Sequence, residues 1–324
     1  MSHLILTTND LAADTLRQAG MRNVVLGFGL RFVRGPLPSD EQLLMGLERR
    51  SAKHCNHGDH WLDDVCRDCL TDYGTRDIGL FELCDKFDSI EVWVDPQAND
   101  QLVLVWLLDL LRPYKEITTK LSLVYTDDAV TLYHPGSVAQ WKLPAFKIAD
   151  NHLTMASRAW HAWRAATPER CFDMLMTDLT IFPRLRSAFV ALLEELPNRV
   201  TGLGASEWDM LSSVADGCTD PRRVNEAGEL RDVFDAGDAR DALIDLGDCP
   251  APPILMGDPS FDNEARYRGE SEWNLTLTDL GRALVDWEDD LWRHNEIRRW
   301  WGGTELTQGR LWRWDPQTRL LIAP

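Results

Sequence analysis

The stretch Ser89–Pro113, SIEVWVDPQANDQLVLVWLLDLLRP, decides the fold. It opens with IEVWV, a β-branched and aromatic run with a proline just beyond it, which predicts a short strand. From Leu102 to Leu111 the residues are apolar nearly all the way round: Leu102, Val103, Leu104, Val105, Trp106, Leu107, Leu108, Leu110 and Leu111. A helix without a polar face is a buried one. Its polar residues, Asp95, Gln97, Asn99, Asp100 and Gln101, gather at its start. Strand, polar cluster, helix N-terminus, all within a packed core: in open α/β sheets this is where ligands bind.

Working outward, HLILTT (3–8) and NVVLGF (23–28) read as strands before this stretch, and KLSLVY (120–125) as one after it. DLAADTLRQAG between the first two is a helix, with Thr8 or Asn9 as cap and Gly20 as its end. SDEQLLMGLERR (39–50) is another, with Ser39 and Gln42 spaced for a capping box. Residues 61–87 predict one or two more helices. Strands alternating with helices indicate a parallel sheet with right-handed crossovers.

The character changes near Asn151. Residues 1–149 are expected to form the α/β domain and 150–324 a mainly helical one. Trp160 and Trp163, one turn apart, mark a packing face between the halves. Three helical stretches between Ser206 and Leu246 precede a Pro/Gly/Asp-rich loop (250–269) and WNLTLTDLGRALVDW, a strand and a helix. That order is winged-helix-like. RLWRWDPQTRLLI closes the chain as a hairpin, with Asp315–Thr318 as its turn.

Four segments then resemble one family: TTNDLAADTLRQAG, RGPLP, EVWVDPQANDQLVLVWLLDLL, and the pair LTLTDLGRAL with RWWGGTEL…LWRWD. Together they are similar to bacterial proteins carrying the domain of unknown function 1835. The resemblance covers most of the chain and implies a Rossmann-like N-terminal domain followed by a helical C-terminal region. It implies no particular activity.

Composition excludes several function classes. The net charge of −18 opposes nucleic acid, which needs clustered lysine and arginine, and anionic membranes. Between Arg199 and His294 nine arginines and no lysine face twenty-two acidic residues, so a winged-helix-like module there would meet phosphates with repulsion. The longest apolar run is about half a membrane span. No basic, apolar leader opens the chain, and seven cysteines form no framework, so a reduced cytoplasmic setting is expected.

The expected ligand site lies at the carboxyl edge of the sheet. Thr8, Asn9 and Asp10 follow the first strand; Asp95, Asn99, Asp100 and Gln101 follow the third; Arg34 and Gly35 follow the second and are expected at the same edge. Helix N-termini offer free N–H groups and positive potential to a phosphate or carboxylate. The plain alternative is that these residues cap helices. Neither a G-x-G-x-x-G nor a P-loop occurs, so no cofactor is named. HCNHGDHWLDDVCRDC, with Cys55, His57, His60, Cys66 and Cys69, holds zinc-capable groups, but its spacing lacks two paired knuckles and no metal centre is assigned. Two functions stay open: binding of a nucleotide-like or phosphorylated small molecule, with or without chemistry, and an adaptor role in which the C-terminal module contacts a protein partner.

Overall fold

The computed structural model describes residues 2–21, 24–63, 65, 70, 76–257 and 274–324. The chain forms two compact units. The first comprises Met1–Phe32, Pro36–Arg164 and Asp178–Arg186; the second comprises Val33–Gly35, Ala165–Thr177 and Ser187–Pro324.

The elements up to residue 163 are β1 (His3–Thr7), α1 (Asp10–Gln18), β2 (Val24–Gly27), α2 (Asp40–Leu47), α3 (Leu80–Asp85) and β3 (Ser89–Val94). They continue with α4 (Ala98–Leu111), α5 (Lys115–Thr118), β4 (Leu121–Tyr125), α6 (Pro135–Val138), β5 (Ala145–Lys147) and α7 (Asp150–Trp163). The sheet order is β2-β1-β3-β4-β5. The first three pairings are parallel, with Thr7 opposite both Gly27 and Trp93. β5 is antiparallel to β4 and fully exposed along its length, an edge strand that alternation of strands and helices does not predict.

Both faces of the parallel strands are covered, as helical crossovers require. Ile5, Val25, Trp93 and Val124 lie on one face beneath Ala12, Ala13 and Leu16 of α1. Their alternates Leu4, Leu6, Leu26, Val92 and Leu123 are equally buried, as the period of two demands. α4 is buried from Ala98 to Leu108 apart from Asn99, and again at Leu111. Local signals behave as their chemistry predicts. Ser39 and Gln42 exchange their capping bonds at α2. Gly20, at φ 73°, lies just past the end of α1, where its N–H reaches the Arg17 carbonyl.

One expectation is corrected. α7, expected to open the second domain, packs on α4 and belongs to the first unit. Its tryptophans cover that unit's own core: Trp163 Nε1 donates to the Phe32 carbonyl at 3.0 Å, and the Trp160 ring lies 4.9 Å from that of Phe32. Of residues 61–87, the described part holds one short helix, α3. The turns before it are held by Asp63, which accepts from Gly58 N and His60 N and pairs with Arg50. His60 is buried, with Nε2 at 3.1 Å from the Glu48 carbonyl, while Cys66 and Cys69 lie outside the described residues.

Beyond α7 come α8 (Glu169–Met174), α9 (Leu185–Glu194), α10 (Ala205–Ala215), α11 (Pro221–Glu229), α12 (Ala236–Asp248), β6 (Ile254–Met256), β7 (Leu275–Leu277), α13 (Asp279–Val285) and α14 (Leu291–His294). Two hairpins end the chain: β8 (Arg298–Trp301) with β9 (Thr304–Thr307), and β10 (Arg313–Asp315) with β11 (Leu320–Ile322). In the second unit α10 packs on α11, β7 and α13, and α11 packs on α12. β6 and β7 pair antiparallel as a ribbon, Ile254 opposite Leu277. Three helices, a ribbon and a further helix reproduce the winged-helix-like order. Side-chain caps set the helix starts: Asp220, Asp235, Thr278 and Asp290 accept from the first-turn N–H groups of α11, α12, α13 and α14.

Candidate functional site

At the carboxyl edge of the first unit, most of the expected site residues hold the fold together. Asn9 Oδ1 caps α1, accepting from Leu11 N at 2.9 Å and Ala12 N at 3.2 Å. Asp10 is exposed and accepts from Leu11 N. Gly27 closes this corner: a Cβ there would lie 2.5 Å from Asp10 Cα and 2.8 Å from the Asn9 carbonyl oxygen. Asn99 pins the loop after β2, accepting from Phe32 N and donating to the Leu30 carbonyl, both at 2.8 Å. Gln101 is fully buried and donates to the Asp95 carbonyl at 2.8 Å.

Two buried carboxyls remain. Asp95 accepts from Thr126 Oγ1 at 2.8 Å and Val130 N at 3.2 Å. Burial pushes it up to about 6 despite those bonds. Asp100 accepts from Thr8 Oγ1 at 2.5 Å. Burial, then the nearby charge of Asp95, push it up to about 8. The α4 N-terminus favours the ionised form by about 2 kcal/mol at most. Loss of water outweighs that, so Asp100 is chiefly a neutral acid at pH 7.

Arg34 and Gly35 are not part of this cluster. Both belong to the second unit, where Arg34 Nη2 pairs with Asp245 Oδ2 at 2.5 Å and Nη1 donates to the Asp238 carbonyl at 3.3 Å. The guanidinium also lies 5.5 Å from the Phe234 ring centroid. The expectation that Arg34 joins Asn9 and Asp100 is thereby corrected. A residue bridge from Arg34 to Trp301 places it on the β8–β9 hairpin. Gly35, at φ 79°, lies in the left-handed region that glycine tolerates.

Arg34 instead lines a cavity of about 230 Å³ whose walls all come from the second unit. β8 supplies Arg298, Arg299, Trp300 and Trp301 to it. The hairpin turns through Gly302, at φ 53°, and is anchored by Trp301 Nε1, which donates to the Leu192 carbonyl at 2.6 Å. Arg299 lies 4.7 Å from the Trp292 ring and bonds Glu207 Oε1 at 2.9 Å. Glu207 is the third residue of α10, and its other oxygen accepts from Gly204 N at 2.8 Å. Burial alone would push Glu207 up, but Arg299, Gly204 N–H and the more distant Arg34 hold it below the usual carboxylate range.

Glu195, just past the end of α9, also lines the cavity. Its Oε1 accepts from Ser206 Oγ at 2.7 Å and Ser206 N at 3.1 Å. Among the described residues no arginine bonds it. Burial, against the Ser206 hydroxyl and with the charge of Glu207, pushes it up to about 7. Sequence reading passed over this group: LLEELP reads as an apolar helix end, and RRWW offers only an unusual pair of doublets. A signal was present in those doublets, since arginine beside tryptophan is a common makeup of binding surfaces.

No family model matches the chain, and no curated protein matches it. Among solved structures it is similar to the DNA-binding, cleavage and re-ligation domain of Plasmodium falciparum topoisomerase II, at 11% identity and a TM-score of 0.36. That likeness covers 87% of this chain, which spans about half (48%) of the other. At this level it carries no argument about function.

Proposed function

We propose that the protein binds a small phosphorylated or nucleotide-like molecule, and that the cavity of the second unit receives it. One observation carries this reading: three guanidiniums, those of Arg34, Arg298 and Arg299, meet the rings of Phe234, Trp300 and Trp301 around one cavity. Each guanidinium is paired, Arg34 with Asp245, Arg299 with Glu207 and Arg298 with Glu305, and an anion in the cavity would take over the loosest of these pairings. The volume lies below the roughly 300–1,000 Å³ usual for ligand pockets, which suits a small phosphorylated group rather than a dinucleotide. Arg298 is the cation best placed to change partners, because its side chain is 84% exposed and its pairing with Glu305 is loose, at 3.6 Å. The carboxyl edge of the first unit is not retained as the site, since Asn9 and Asn99 bind backbone there and the expected cation lies in the other unit.

Calorimetric titration with inorganic phosphate, nucleoside monophosphates and sugar phosphates tests the proposal. Arg298→Ala should weaken binding by about 1.5–3 kcal/mol, the range for a charge-assisted hydrogen bond, and leave the melting temperature unchanged. An intact chain that binds none of these at millimolar concentration refutes it. A second reading, an adaptor role for the winged-helix-like module, draws on the exposed apolar side chains Leu230, Leu255 and Trp287. It predicts no small-anion binding.

A further inference from the structure

We infer that Glu195 is the specificity-determining acid of this cavity: it takes a proton from solvent when an anion binds and donates it as a hydrogen bond to the ligand. The inference rests on the ligand reading above.

The geometry distinguishes Glu195 from every charged group around it. On α10, Glu207 is bonded to Arg299 of β8. Arg34 is paired with Asp245 of α12, and Arg298 of β8 faces Glu305 of β9. Arg231, which also acts on Glu195, is bonded to Asp209 of α10 and Glu194 of α9. Each of these cations already has a carboxylate. Among the described residues Glu195 has Ser206 as its bonding partner, whose N–H and hydroxyl both point at it. It is buried, and the negative charge of Glu207 acts on it.

A bound dianion adds negative charge beside the buried Glu195. An ionised Glu195 would repel it. A protonated Glu195 presents one O–H donor instead. The second state is lower in energy, so the carboxylate accepts one proton from the buffer and no covalent bond to the ligand forms or breaks. The preferred ligand is therefore a tetrahedral dianion with oxygens for both guanidinium and carboxyl donors, the terminus of a phosphate monoester.

Inorganic sulfate is the deciding probe. It has the same shape and charge but no titration near neutrality, so any proton taken up belongs to the protein. The full chain is titrated with sulfate at pH 7.5 in buffers of different ionisation enthalpy. The expected result is a fractional to full proton taken up per sulfate bound, and none in Glu195→Gln with binding retained. In the unmodified chain, affinity should fall with rising pH, approaching tenfold per pH unit above the titration of the free acid. That second measurement decides the matter if Glu195→Gln does not fold. Binding without uptake, or uptake unchanged in Glu195→Gln, overturns the inference and leaves the ligand reading standing. Failure of both sulfate and phosphate to bind the unmodified chain overturns both.

Discussion

Asp95 and Asp100 in the first unit and Glu195 and Glu207 in the second are both pairs of buried carboxyls, but among the described residues only the second pair has an arginine. Without a cation, both aspartates are pushed up, to about 6 and about 8, although each accepts a hydroxyl hydrogen bond. In the second pair Arg299 holds Glu207 down, while Glu195, which it does not bond, goes up to about 7. Neutral donors thus do not offset the loss of water around a carboxylate, and a guanidinium at 2.9 Å does. The first pair behaves as a neutral polar network inside a scaffold. The second is split into one fixed charge and one group that titrates beside a cavity.

The largest expected effect comes from removing the cation. Arg299→Ala leaves Glu207 buried and unpaired, which should cost about 3–5 kcal/mol at neutral pH. The loss should shrink toward acid pH as Glu207 protonates. Denaturant titrations at pH 5 and pH 7.5 measure this. An equal loss at both values would mean that stacking of Arg299 on Trp292, not its charge, matters, and the contrast between the pairs would fail.

The first pair predicts the opposite sign. The folded-state titration of Asp100 lies above that of the unfolded chain, so its stabilising contribution is full below about pH 4 and disappears as pH rises through about 8. Asp100→Asn keeps an acceptor for Thr8 and removes the ionisation. The variant should be more stable than the parent by about 2–4 kcal/mol at pH 8.5 and equal to it near pH 4. Melting curves across that range check it; a destabilised variant at pH 8.5 would show that the carboxylate form is needed and would revive the edge as a charged site.

The smallest effect tests the separation of stability from binding in the second unit. Asp245 is 65% exposed, so Asp245→Ala should change stability by less than about 0.5 kcal/mol. It also releases Arg34 toward the cavity, and phosphate affinity should rise roughly threefold, consistent with a weak exposed pair. Unchanged affinity would remove Arg34 from the ligand set.

What the sequence determined by itself was local or periodic. The buried α4 follows from ten residues with no polar face, and the parallel strands follow from apolar runs separated by helices. The Ser39–Gln42 box and the Gly20 helix end follow from residues three or fewer positions apart, because capping bonds close within one turn. The candidate edge residues were recognisable as polar groups at helix starts, yet their type does not say whether they face a ligand or a backbone N–H. Tertiary structure decided the rest. β5 turned antiparallel through a connection that no alternation encodes. Arg34 found Asp245, 211 positions away, and three tripeptide residues, Val33–Gly35, left the unit that surrounds them in sequence. The cavity joins residues from 33 to 306, and the protonation of Glu195 depends on which neighbour Arg299 bonds. Charge partners and desolvation are set by three-dimensional packing across long sequence separations, and a one-dimensional pattern has no period that records them.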